Sequence, residues 1–358
     1  MEKGNAMDRT TQPGMSQLLS RYRSAVMGIA ALWVMLLHCW IRIVPKRPVL
    51  GAIENLIKWN GTLGVEIFFF YSGLGLTYAI RNGTLGQYYV KRLRRVIFPY
   101  WFMVAVHAGS WGWSFSETIK IASGFSFFTE SIFALLWFVP AIFLLYMVFP
   151  AYHRLMMRCG DKTAFTLCTL IVWLCASILL RETLREDVWC MTNRIPCFLL
   201  GVWIGEVSRE RDIHLTRTHW LLFVLSIAMG WMLRDAGNKS LITLIPQFDF
   251  VPSVFIGVPL CFLFSGVFFG LEQCGGLIRR CAAQLIRLFS FIGKFSLELY
   301  CVHQWLYGYL YAALEGRVSY LSINLISFPL MIAAGWVLHL LHGLFWQTTD
   351  RIKRTAQK

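Results

Sequence analysis

His38 lies inside the apolar run Ser24-Ala-Val-Met-Gly-Ile-Ala-Ala-Leu-Trp-Val-Met-Leu-Leu-His-Cys-Trp-Ile41, which is long enough to span a bilayer. An ionisable side chain is costly at that depth and marks a site of chemistry. Imidazole titrates near neutral pH, so the chemistry it offers is proton transfer to or from a reacting group. Few other charged or titratable residues fall within apolar runs. They are Glu66, Arg194, Glu298 and His303, with His107 and His339 nearer the edges.

Depth suggests how these residues could meet. At 1.5 Å per residue, His38 lies about 21 Å along its helix. Glu66 enters the next helix roughly 5 Å from the same surface. Helices joined by a short loop pack together, so a His38–Glu66 contact is expected, with the carboxylate fixing the imidazole tautomer. The alternative is Glu66 as an interfacial residue facing water. Arg194 sits at a comparable depth before Ile-Pro-Cys-Phe-Leu-Leu-Gly201. It either pairs with Glu66 structurally or holds the negative charge that develops in a reaction. Ser296, Tyr300 and His303 recur at spacings of four and three, so they share one helix face. That stripe serves either an oxyanion or acceptor site, or ordinary interhelical hydrogen bonding.

A second cluster reads Tyr88-Tyr-Val-Lys-Arg-Leu-Arg-Arg-Val-Ile-Phe-Pro-Tyr-Trp101. A basic anchor at a cytoplasmic boundary explains it generically. Arg92 and Arg95 also lie three apart on one face and could fork around phosphate oxygens, as in a nucleotide or coenzyme A. Pro99 is expected to kink or open the start of the following span.

The elements that position these residues are membrane helices. Of 358 residues, 57% are hydrophobic and 15% charged, and the mean hydropathy is +0.55. A bilayer crossing takes roughly 20 apolar residues. Such runs fall near 24–44, 63–80, 96–113, 131–150, 163–180, 188–206, 219–233, 250–271, 291–312 and 321–345. The fold class is therefore all-α: a polytopic bundle of about ten transmembrane helices. Its parts are a cytoplasmic segment at 1–23, the membrane domain at 24–345 and a short basic tail at 346–358. No separate soluble domain, cleavable signal or fixed-period repeat is visible. The termini and the even-numbered connections carry more than twice the Lys and Arg of the odd-numbered connections, which predicts both termini cytoplasmic. The first external loop, with Arg42, Lys46, Arg47 and Lys58, runs against that rule.

Composition also excludes functions. The net charge of +15 clusters at helix ends, where anionic lipid attracts it, so no nucleic-acid partner is expected. The ten cysteines are scattered without zinc-like spacing, so neither disulfides nor a cysteine nucleophile is expected. No bound metal is expected either, helix packing being the simpler account of His339 and His342. Zinc-protease His-Glu-x-x-His, His-x-x-x-Asp acyltransferase and phosphate-loop motifs are absent.

Four blocks resemble the acyltransferase 3 family of integral-membrane acyltransferases. They are Met27-Gly-Ile-Ala-Ala-Leu-Trp-Val-Met-Leu-Leu-His38, Gly64-Val-Glu-Ile-Phe-Phe-Phe-Tyr-Ser-Gly73, Lys91-Arg92-Leu-Arg-Arg95-Val-Ile-Phe-Pro99-Tyr100 and Gly293-Lys-Phe-Ser296-Leu-Glu-Leu-Tyr300-Cys-Val-His303. Leu136-Trp-Phe-Val-Pro140 and Phe198-Leu-Leu-Gly201 lie between them in the family's order. The resemblance implies a ten-helix enzyme that takes an acyl group, usually acetyl, from cytoplasmic acyl-CoA and delivers it to a hydroxyl of a glycan or glycolipid. It implies His38 as the catalytic residue and Arg92 and Arg95 in the donor site; depth in the membrane adds Glu66 as the group that orients the His38 ring. Where the family commonly has an arginine before the glycine, this chain has Met27. Arg23, one turn earlier, either takes that role or snorkels to lipid.

The resemblance further implies acyl-CoA as a co-substrate with no permanently bound cofactor, and the plasma (inner) membrane as the location in a bacterium. Some members carry an esterase-like domain after the membrane part. None is expected here, so a second transfer step would need a partner in polysaccharide assembly. A homo-oligomer is left open. Two readings compete: a transporter or flippase of a lipid-linked glycan, and a non-catalytic membrane scaffold that leaves the buried charges without a purpose.

Overall fold

A computed structural model describes residues 13–39, 48–129, 136–180, 183, 186–211, 213–238 and 251–356. The described residues are helical, apart from turns and one isolated antiparallel bridge between Gly14 and His214. The helices are α1 (Met15–His38), α2 (Pro48–Trp59), α3 (Leu63–Ala79), α4 (Leu85–Trp111), α5 (Phe115–Ala122), α6 (Ser126–Thr129), α7 (Phe138–Arg158) and α8 (Lys162–Leu180). They continue with α9 (Glu186–Thr192), α10 (Ile195–Glu210), α11 (Arg217–Asn238), α12 (Val251–Gln273), α13 (Gly276–Lys294), α14 (Ser296–Leu314) and α15 (Tyr320–Ala356).

Where the residues are described, each predicted apolar run overlaps a helix, the sixth the α9–α10 pair and the ninth the last turn of α13 with most of α14. Five stretches among the described residues are long and apolar enough to cross a membrane: Phe138–Arg158, Lys162–Leu180, Val188–Glu210, Ser253–Gln273 and Tyr320–Thr355. α3, with 17 residues, falls short of the roughly 20 that a full crossing takes. Side chains such as Leu167, Ile171 and Leu179 on α8 and Leu221, Leu225 and Met232 on α11 are exposed and apolar, as on a surface that faces lipid.

Several boundaries differ from the sequence expectation. α1 starts at Met15 rather than near 24, so the second half of the expected N-terminal tail is helical. α15 continues to Ala356 through the expected tail, with Lys353 and Arg354 in its last turn, where cations suit the helix dipole. α4 starts at Leu85, set by a capping box in which Thr84 Oγ1 accepts from the Gln87 amide and Gln87 Oε1 accepts from the Thr84 amide. Pro99 lies inside α4 rather than at its start. Helices α2, α5 and α13 occupy expected connections. α13 carries Arg279, Arg280 and Arg287 among exposed Leu277, Ile278, Leu285 and Leu288, so no apolar run reveals it. Arg42, Lys46 and Arg47 lie outside the described residues.

The site is framed by α1, α3, α4, α7, α10 and α14. α3 is apolar nearly all round and is buried on every side. Glycines bring its neighbours to backbone contact. A Cβ on Gly28 would stand 2.0 Å from the Phe289 carbonyl oxygen, and one on Gly293 would stand 1.8 Å from that of Ser24. Gly73 and Gly201 do the same between α3 and α10, each 2.1 Å from a facing carbonyl oxygen. Small residues let membrane helices approach closely and pack without a hydrophobic drive between them. A larger side chain at these positions would push α1 off α13, or α3 off α10.

Candidate active site

A cavity of about 270 Å³ opens between α1, α3, α4, α7 and α14. Three guanidinium groups line it: Arg23 of α1, and Arg92 and Arg95 of α4. Beyond them the walls are Met27, Phe68, Phe138, Ser296 and Tyr300. A larger hollow of about 330 Å³, lined by Leu18, Leu215, Trp220 and Phe269 among others, has no charged residue in its wall and offers no chemistry.

The four cations of the α4 cluster divide by helical spacing. Lys91 is exposed. Arg94 points to α15, where it makes a bidentate pair with Asp350 at 2.7 and 2.9 Å and lies over Trp346. Arg92 and Arg95, three apart, turn together to the cavity. Arg92 lies 5.9 Å from the ring centres of both Tyr88 and Tyr146, and its buried Nε has no hydrogen-bond partner. Arg95 donates to Glu298 Oε1 at 3.2 Å and to the Lys294 carbonyl at 3.3 Å. Arg23 does not snorkel away. It donates to the Tyr71 carbonyl at 3.3 Å and keeps a buried Nε without a partner. Met27, where the family arginine would stand, lines the same cavity one turn on.

His38 ends α1 about 22 Å beyond Arg23 at the helical rise per residue. Its Nδ1 lies 2.9 Å from His303 Nε2. His303 Nδ1 lies 2.7 Å from the Tyr300 carbonyl oxygen, which only accepts, so that nitrogen carries the hydrogen. In neutral His303, Nε2 is then the acceptor and His38 Nδ1 is the donor. This chain of roles leaves His38 Nε2 as the nitrogen with a free lone pair, the form a general base needs.

The expected contact between His38 and Glu66 is not the one formed. Glu66 is buried and pairs with Arg194, whose Nε lies 3.4 Å from Glu66 Oε1. Arg194 also donates to the Cys190 carbonyl at 2.6 Å and stands over the Trp137 ring at 5.2 Å. Of the two alternatives for Arg194, the geometry is that of the ion pair. The reason lies in the packing of α3: its glycines face α1 and α10, so Glu66 sits beside Gly257 of α12 and towards Arg194 at the start of α10.

The stripe on α14 splits between the two ends. Ser296 and Tyr300 line the arginine cavity, and His303 joins His38. The Tyr300 hydroxyl oxygen accepts from the Phe138 amide at 3.3 Å, satisfying a donor in the first turn of α7. Its ring centre is 5.8 Å from that of His303, which is 5.0 Å from that of His38. His38 is not itself in the cavity wall. Tyr300 forms the partition, with the arginines on one side and the imidazole pair on the other.

Sequence reasoning did not place Glu298 in the site. Its partners are 203, 41 and 44 residues away in the chain, so no local spacing marks it. The one signal was its charge within an apolar run. Asn60 is a further unforeseen polar residue, buried at the foot of α3 and accepting from Arg234 Nη1 at 2.9 Å.

A helical bundle with a cationic cavity beside Arg23 and paired imidazoles about 22 Å further along α1 frames the site. A family model described as an acyltransferase domain, that of the acyltransferase 3 family, matches residues 25–340. The chain belongs to this family and is a membrane acyltransferase. No curated protein and no solved structure matches it. Arg23 lies just outside the matched residues, so its role rests on geometry.

Proposed function

We propose that this protein moves an acyl group, acetyl before others, from cytoplasmic acyl-CoA to a hydroxyl of a cell-surface or exported glycan. In this reading the bundle crosses the plasma membrane about ten times with both termini cytoplasmic. The observation that carries it is the meeting of Arg23, Arg92 and Arg95 at one cavity. Among the described residues neither Arg23 nor Arg92 has a carboxylate partner, and both keep a buried N–H without an acceptor. Buried cations without counter-charge are costly, and phosphate oxygens are the acceptors that guanidinium forks match.

An acyl-CoA is anionic at its nucleotide and uncharged along its pantetheine arm. Its phosphates would sit among the three arginines, and the arm would run past Met27 and Phe68 towards Tyr300. The thioester reaches His38 when the Tyr300 ring gives way. His38 Nε2 then takes the proton of the acceptor hydroxyl as its oxygen attacks the thioester carbonyl. The tetrahedral oxyanion collapses, the carbon–sulfur bond breaks, and the departing thiolate takes the proton back from His38. His303, in the place foreseen for Glu66, holds the tautomer and orientation of the His38 ring. Tyr300 supplies a hydroxyl group near the carbonyl, and Ser296 lines the cavity that the arm passes through. Glu66 and Arg194 brace the outer half of the bundle.

The test is glycan mass spectrometry on cells with and without the protein. The expected result is a mass difference of one acyl group per modified residue, which identifies donor and product together. Identical glycan profiles, with no CoA released from acyl-CoA by the purified protein, would contradict the reading.

A further inference from the structure

Glu298 is fully buried in the first turn of α14, and one of its oxygens, Oε1, collects three donors. Arg95 Nη1 stands 3.2 Å away, His339 Nδ1 3.2 Å and His342 Nδ1 2.8 Å. The other ring nitrogen of His342 lies 2.8 Å from the Arg94 carbonyl oxygen, which also accepts from Trp346 Nε1 at 3.1 Å. That carbonyl lies next to the one of Arg95, which loses its helical amide donor to Pro99.

Both faces of His342 meet acceptors, a carbonyl and a carboxylate. The ring thus bridges the Glu298 carboxylate on α14 and the Arg94 carbonyl on α4. A carboxylate with two histidines has the composition of a divalent-metal site. Here the shared oxygen also holds the Arg95 guanidinium.

The geometry points to Glu298 as a positioning residue: with His339 and His342 of α15 behind it, its carboxylate holds the Arg95 guanidinium against the wall of the donor cavity. This inference rests on the reading of that cavity as the acyl-CoA site. Arg95 uses one N–H on Glu298 and one on the Lys294 carbonyl, which leaves its remaining donors for a ligand. A guanidinium fixed in advance loses less conformational freedom on binding. The arrangement also ties the donor site to α15, a helix that does not line the cavity.

The experiment is a double-mutant cycle on acetyl-CoA binding to the purified full-length protein in detergent, using Glu298→Gln, Arg95→Gln and the pair. Glu298→Gln is expected to weaken binding about ten-fold, the scale of one charge-assisted hydrogen bond. Once Arg95 is changed, it should cost nothing more. His342→Gln, which keeps an amide donor, supplies the milder variant should Glu298→Gln fail to fold. Its effect should share the direction and be smaller. Losses that add, or binding that is unchanged or tighter in Glu298→Gln, would overturn the positioning role while leaving the donor site intact. Wild-type protein that binds no acetyl-CoA would overturn the donor-site reading and this inference with it.

Discussion

Towards the His38 end of the bundle, the buried Arg194 guanidinium has a carboxylate at 3.4 Å, a carbonyl at 2.6 Å and an aromatic face. Towards the other end, Arg23 and Arg92 are packed among tyrosines, with no carboxylate among the described residues and with N–H groups left over. The same side chain thus does two jobs in one membrane protein. Paired, it braces helices; unpaired and in a cavity, it is where the proposed function seats an anion from outside the chain. Arg95 stands between these cases, held by a carboxylate yet still in the cavity wall.

The contrast breaks most readily at the braced end. Glu66→Ala leaves Arg194 without its counter-ion and should destabilise the fold by about 3 kcal/mol, as for other broken buried pairs. Thermal unfolding in detergent would show this, and adding Arg194→Met should recover part of the loss. Unchanged melting with lost turnover would move the pair from brace to chemistry. The imidazole pair comes next. His303→Gln should lower turnover about 100-fold, the scale of general-base assistance, with the Michaelis constant for acyl-CoA unmoved. Smallest, and sharpest as a comparison, is Arg92→Met against Arg94→Met. The first should raise that Michaelis constant about ten-fold. The second loses only a half-exposed pair with Asp350 and should leave donor use within about two-fold.

Much of this was legible in the sequence because it depends on local spacing. The apolar runs mark the helices, and the three-residue step from Arg92 to Arg95 marks the cavity-facing pair among four cations. The glycines of the family blocks, Gly28, Gly73, Gly201 and Gly293, have a plain physical reason, since each lies at a backbone contact between helices. What could not be read depends on which helices meet. His303 reaches His38 across 265 residues, and Glu66 turns to Arg194 rather than to the histidine. An amphipathic helix such as α13 escapes a search for apolar runs because Arg279, Arg280 and Arg287 interrupt it. Arg23 and His38 also relate only in the folded bundle, where α14 runs beside α1 and carries Ser296 in its first turn and His303 two turns on.

The central claim is that donor binding and proton transfer occupy separate stretches of α1, one at Arg23 and the other at His38. It is tested most directly by measuring acetyl-CoA affinity and acyl transfer together in His38→Ala at matched purity and abundance. The account predicts affinity within about two-fold of the wild type and a loss of transfer of at least about 100-fold. Transfer at the wild-type rate in that variant would contradict it.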